Sequence, residues 1–172
     1  MKTPPLSLVL DTNCVLDLLL FQDASCQPID HWLGTHQAQI MVTSAMLEEL
    51  RRVLTYADFA LGAAQQQSIW ARYAAMSVLL TPAEMPPLPL SLPRCRDPDD
   101  QGFIDLAAAL AAIAPRAPIA ASSVLLISRD KAVLRLRRAL RRFAVTLLAP
   151  AELDAYWLAY QTVRQHSATT SP

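Results

Sequence analysis

Glycine is scarce in this chain: three glycines in 172 residues, against thirteen prolines. Phosphate cradles of the Walker or dinucleotide type need several glycines within a few residues, so neither is present. No Gly-x-Ser-x-Gly nucleophile turn occurs either. Cysteine is nearly as rare. Cys14, Cys26 and Cys95 are odd in number, far apart and without a Cys-x-x-Cys pair. That pattern excludes a disulfide framework or a zinc ribbon, and the three thiols read as small buried hydrophobes of a reducing compartment. Charge of one sign is missing too, with fifteen basic and fifteen acidic residues and a formal net charge of zero. The chain is therefore no uniformly basic nucleic-acid binder, although a local patch stays open. No apolar run approaches the roughly 20 residues that cross a bilayer. The alanine-rich stretch from Leu106 is cut by Pro115, Arg116 and Pro118, and the short run Leu6 to Leu10 meets Asp11 at once. Neither reads as a secretory signal or a membrane span. The expectation is a soluble, cytoplasmic protein without membrane contact.

What is present is apolar: 53% of residues are hydrophobic and the mean hydropathy is +0.24. A chain of this length and composition can bury a core without cross-links. It reads as one domain over 1–165, followed by a flexible polar tail over 166–172. Short apolar runs at Leu6–Leu10, Gln39–Ser44, Val124–Ser128 and Val145–Leu148 predict strands. Between them, helices are expected from the Asp-Thr-Asn start after the first strand and on through Val15–Phe21, then over Ala45–Leu54, Ala63–Leu80, Gln101–Ile113, Lys131–Arg142 and Ala151 to about Arg164. Six prolines between 82 and 98 mark an extended connector. His31 and His36 flank Trp32 in a short helix, and neither reads as a ligand. Strands alternating with helices predict an α/β fold: a three-layer α/β/α sandwich around a central parallel sheet. Ligands of such sheets gather outside the carboxyl ends of the strands.

Acidic residues stand at those ends. Asp11 follows the first strand, and Arg129-Asp130 follows the Val124–Ser128 strand. Each is also a plausible helix cap taken alone. In the helix after strand two, about 100° per residue separates a neighbouring Glu pair. Glu48 lies opposite the apolar arc of Met46, Leu47, Leu50, Val53 and Leu54, whereas Glu49 lies at its margin and can reach a cleft. In Asp97-Pro-Asp99-Asp100-Gln-Gly-Phe103-Ile-Asp105, Asp105 points away from the buried face and Asp99 suits an N-cap. Asp100 lies on the buried side of the first turn, and Asp97, held extended by Pro98, is a lesser candidate. Asp11, Glu49, Asp100 and Asp130 would meet in one cleft, where like charges raise one another's pKa values. A hard divalent cation relieves that repulsion. Oxygen donors without histidine or cysteine suit Mg²⁺ or Mn²⁺ rather than zinc, and metal-assisted phosphodiester hydrolysis is the reaction class that follows.

Leu10-Asp-Thr-Asn13, Thr43-Ser-Ala-Met-Leu-Glu-Glu-Leu-Arg-Arg-Val-Leu54, Cys95-Arg-Asp-Pro-Asp-Asp-Gln-Gly-Phe103 and Ser128-Arg-Asp-Lys131, in this order, resemble the PIN-domain ribonucleases. The likeness is greatest to the branch regarded as toxins of toxin–antitoxin pairs. The resemblance implies an α/β/α fold, an acidic pocket for Mg²⁺ or Mn²⁺, endonucleolytic cutting of single-stranded RNA, homodimers and an antitoxin partner. Its acidic quartet falls on Asp11, Glu49, Asp100 and Asp130, with Asp97 as a further candidate ligand. Thr12 and Asn13 match the residues that support the first carboxylate, and Ser128 the small hydroxyl residue before the last. A departure is the segment from Ala114 to Ser123, longer and richer in Ala and Pro than the usual connection.

Beside the last acid lies a basic run. Arg129, Lys131, Arg135, Arg137, Arg138, Arg141 and Arg142 face Asp130 alone in 14 positions. Lys131, Arg135, Arg138 and Arg142 recur at helical spacing as one stripe, over an inward face of Ala132, Val133, Leu136, Leu140 and Phe143. With Arg129 they are the candidate RNA-binding residues, since contacts to a phosphate backbone are charge-driven and blind to sequence. An acidic antitoxin segment suits the same face. The competing reading is a catalytically idle RNA- or protein-binding module on the same fold.

Overall fold

A computed structural model describes residues 5–114 and 123–169, the last seven as helical backbone. Five strands form one all-parallel sheet: β1 Leu6–Leu10, β2 Ala38–Val42, β3 Ser77–Leu79, β4 Val124–Ile127 and β5 Val145–Leu148, in the order β3-β2-β1-β4-β5. The central strands are apolar on both faces, with β4 buried at every position and β1 at all but one, as a sheet covered on both sides requires. The helices are α1 Thr12–Leu16, α2 Gln27–Gly34, α3 Ser44–Val53, α4 Ala63–Met76, α5 Gln101–Ile113, α6 Lys131–Leu134, α7 Arg137–Leu140 and α8 Leu153–Thr169. Right-handed crossovers place α1–α4 on one face and α5–α7 on the other, which makes the three layers. The amphipathic face expected of α5 understates its burial. Phe103, Ile104, Leu106, Ala107, Ala108, Ala109 and Leu110 are all buried, and Asp105 on its open side is held by Gln101 Nε2 at 2.8 Å.

Three elements differ from expectation. The helix foreseen over Ala63–Leu80 ends at Met76, where Ser77 Oγ donates to the Tyr73 carbonyl at 2.7 Å. Ser77–Leu79 then joins β2 as the edge strand β3, because a β-branched Val78 gains more from ladder hydrogen bonds than from another helical turn. The amphipathic helix foreseen over Lys131–Arg142 is broken into α6, α7 and a 3-10 turn, Arg141–Phe143. Its cations have no acidic partner at helical spacing, and Arg137 instead turns to Glu152 (2.9 Å) beyond β5. The helix that follows Asp11 starts at Thr12, as the Asp-Thr-Asn start signal implies, but differs from expectation by widening into a π-helical turn over Asp17–Phe21. At the far end α8 continues to Thr169, past the expected start of the tail at 166. Most of the Ala/Pro-rich Ala114–Ser123 segment, 115–122, and residues 170–172 lie outside the described residues.

Candidate functional site

The sheet order reverses at β1: β2 and β3 lie on one side, β4 and β5 on the other. A crevice opens at such a switch point, beyond the carboxyl ends of the two diverging strands. Leu10 is in register with Ile127, so Asp11 and Ser128 come off the sheet side by side, and Asp11 N donates to the Ile127 carbonyl at 3.0 Å. Among the described residues, Asp11 and Ser128 are the buried polar side chains, 3% and 0% exposed.

Each acid is held by its own local device. Asp11 caps α1: Oδ1 accepts from Cys14 N at 2.7 Å, and Oδ2 accepts from Arg129 N at 3.1 Å. That second bond ties the ends of β1 and β4 together across 118 residues of sequence. Asp130 caps α6 through the Ala132 and Val133 amides, while its own amide donates to Ser128 Oγ at 3.0 Å. Glu49, half-buried on α3, accepts from Thr12 Oγ1 at 2.8 Å, and Glu48 is exposed on the opposite side. Asp100 occupies the N-cap position of α5, just before Gln101, but its side chain makes no capping hydrogen bond. Asp99, expected as the cap, instead gives its amide to Asp97 Oδ1 at 3.0 Å, because Pro98 holds the preceding carboxylate in a tight turn.

Asp100 shows what these placements add up to. Its carboxyl is pushed up to about 6, first by burial and then by the charges of Asp130, Asp97, Asp11 and Glu49, in that order. Asp97 in the same turn and three carboxylates from other segments thus lie within electrostatic reach of one half-buried acid. The Cys95 thiol sits 4.0 Å from Asp100 Oδ2. Below Asp11, burial and then its carboxylate push the Cys14 thiol and the Tyr73 phenol above their ordinary ranges, so neither ionises there. The Cys26 thiol, buried as well, rises to about 11. All three cysteines are free thiols.

The basic residues divide into two groups. Lys131, Arg135, Arg138 and Arg142 are exposed, and no ion pair among the described residues engages them. Arg129, also a candidate RNA-binding residue, is engaged within the protein. Its guanidinium pairs with Asp17 and, at 2.8 Å, with Asp23, and donates to Ser25 Oγ at 3.0 Å. Desolvation draws it there: burial pushes Asp17 up, an effect that Arg129 offsets, while Asp23 is held low by its bonds from Ser25 and by Arg129. Sequence reasoning passed over Asp17, Phe21, Phe59 and Tyr73. The first two sat inside an apparently ordinary helix, and the others carry no periodic signal that separates them from core.

The sequence profile of the PIN domain family matches residues 7–114. This chain is a PIN domain protein. PIN domains are typically metal-dependent nucleases. No curated protein matches the chain. The matched stretch of this PIN domain holds Asp11, Glu49, Asp97 and Asp100, whereas Asp130 and the basic segment lie beyond it.

Among the described residues, no three or more His, Cys, Asp or Glu side chains are placed closely enough together to hold a metal ion. The donor chemistry nevertheless fits a hard cation. The acids around Asp100 offer only oxygen, and their mutual repulsion is the penalty a divalent ion removes. The carboxylates of Asp11, Glu49 and Asp130 keep lone pairs beyond the hydrogen bonds that orient them.

Proposed function

We propose that this PIN domain is a divalent-metal-dependent endoribonuclease acting on single-stranded RNA, as the cytoplasmic toxin of a toxin–antitoxin pair. The observation that carries the reading is Asp100, raised to about 6 by burial, by Asp97 in its own turn and by three carboxylates of other segments. A fold has no structural reason to gather so many like charges at its ligand-binding edge.

In this reading Asp11, Glu49, Asp100 and Asp130 hold Mg²⁺ or Mn²⁺, with Asp97 contributing from the turn before α5. When bound, the cation polarises the scissile phosphodiester and offsets its charge. The chain's own part is to hold the acids in place. Backbone amides of Cys14 and Arg129 orient Asp11, Thr12 orients Glu49, and Ser128 Oγ fixes the backbone of Asp130. Asn13 is exposed at the same edge and faces the substrate side. Lys131, Arg135, Arg138 and Arg142 supply positive surface for the phosphate backbone, and Arg129 braces the loop that carries Asp130. The partners proposed are an antitoxin whose acidic segment covers the same cations and a second copy of the chain.

The direct test is incubation of the purified protein with unstructured RNA, in Mn²⁺ and in EDTA. The reading requires internal cleavage in Mn²⁺, its loss in EDTA, and its loss in Asp11→Asn. Equal cleavage with and without metal, or RNA retained without turnover, overturns it. The second of these results is what an idle binding module gives.

A further inference from the structure

Beside Asp130 lies an open cavity of about 540 Å³, walled by Asn13, Leu16, Phe21, Phe59, Asp130 and Lys131. Its aromatic wall is costly to keep. Phe21 is 58% exposed, so much of a large apolar ring is left in water. Its ring lies 6.1 Å from that of Phe59, tilted by 56°, so the two make an open corner rather than a closed stack. The backbone is strained at both places. Gln22 and Ala60, the residues directly after these two phenylalanines, adopt the left-handed conformation with φ of 51° and 49°. Neither residue is glycine, so both conformations are unfavourable. Phe21 also closes the π-helical turn Asp17–Phe21, a feature that often marks functional positions.

We propose that this corner is a stacking slot for one unpaired base of the RNA, adjoining the acidic site. The proposal deepens the ribonuclease reading by naming how the strand is selected, and rests on that reading only for the cutting. An uncharged flat ring fits the wall better than a phosphate does, because the Arg129 guanidinium at the floor is already engaged by the Asp17 and Asp23 carboxylates. Lys131, exposed on the rim, suits the phosphate next to that base. The Asn13 amide has no hydrogen-bond partner among the described residues and offers both a donor and an acceptor to a base edge. Asp130 belongs to both sites, so a base seated between the rings leaves a neighbouring phosphodiester beside the acids. A paired base is stacked within its own helix and cannot enter. The slot therefore accounts for a single-strand preference that exposed cations alone do not provide.

The experiment uses short unstructured RNAs carrying 2-aminopurine at successive positions, bound to the full chain in EDTA so that nothing is cut. Fluorescence should be quenched at one position and not in a hairpin of the same sequence. Phe21→Ala should weaken binding at least about fivefold, as should Phe21→Leu, which stays apolar but cannot stack. Phe21→Trp should bind like the unmodified protein. Because Phe21 is on the surface, thermal melting should be unchanged in all three. In Mn²⁺, kcat/KM of Phe21→Ala should fall in parallel with affinity. The slot is overturned if Phe21→Ala binds as before, if Phe21→Leu equals Phe21→Trp, or if the substitutions change only the oligomeric state in sedimentation. A quench that depends on Phe21 without any Mn²⁺-dependent cleavage would remove the ribonuclease reading and leave the slot standing. Normal cleavage that ignores Phe21 would do the reverse.

Discussion

Asp100 carries two penalties at once, desolvation and the charges of its acidic neighbours, and its carboxyl is held at about 6 against an ordinary 3.8. The folded protein therefore keeps this proton to higher pH than the unfolded chain does. Stability from this group is fully present below about pH 4 and is lost as pH rises through 6. Asp100→Asn should remove that slope and raise the urea midpoint at pH 7.5. With solvent screening the gain is on the order of 1 kcal/mol, shrinking to nothing near pH 4. A variant less stable than the parent at both pH values would show that Asp100 is not in a repulsive cluster. Arg129 obeys the opposite logic. Its removal leaves Asp17, only 15% exposed, without a counter-charge. Arg129→Gln should destabilise by about 1–3 kcal/mol, whereas Arg135→Gln, on the open surface, should stay within about 0.5 kcal/mol. Chemical denaturation of the two side by side decides this, and equal losses would contradict the distinction. The acids were legible in the sequence because two of them stand at corresponding strand ends, although each is also a helix cap. The commitment of Arg129 was not, since nothing local pairs residue 129 with residues 17 and 23.

The elements after β4 show how a period can be right in part. Val133 and Leu140 are buried, and Lys131, Arg135, Arg138 and Arg142 are exposed, as the spacing predicts. Yet the helix breaks into single turns, because Arg137 is drawn to Glu152 and the remaining cations find no partners on their own face. The stripe survives as a patch rather than as one helical edge. If it tracks a single strand, replacing both Arg135 and Arg138 by Gln should lower the slope of log affinity against log salt by about 1.4. Titrations at four salt concentrations measure this, and an unchanged slope would take the patch out of the RNA path. The edge strand β3 escaped the sequence reading for a related reason. Three residues carry too little period to be told from the end of α4, and only the open edge of β2 makes them a strand.

For the whole molecule, the acidic cluster at the sheet's switch point implies that a cation binding only the folded state should stabilise it. At a hundredfold excess over its dissociation constant, Mn²⁺ should add about 2.7 kcal/mol, or roughly 5–10 °C in Tm for a domain of this size. The shift should vanish in Asp11→Asn and in Asp100→Asn, and EDTA alone should leave the melt unchanged. A Tm that ignores Mn²⁺ would detach the cluster from metal binding. What the sequence determined by itself was the alternation of buried strands and helices and the acids at strand ends. Both depend on local hydrophobic period and on residue type at a chain position. Tertiary structure decided which charges would meet. It brought Asp11 and Asp130 to the same sheet edge through strand register, took Arg129 to Asp17 and Asp23, and turned Phe21 and Phe59 into one corner. These pairings join residues from 38 to 119 positions apart, and only the geometry of the folded sheet brings them within range of each other.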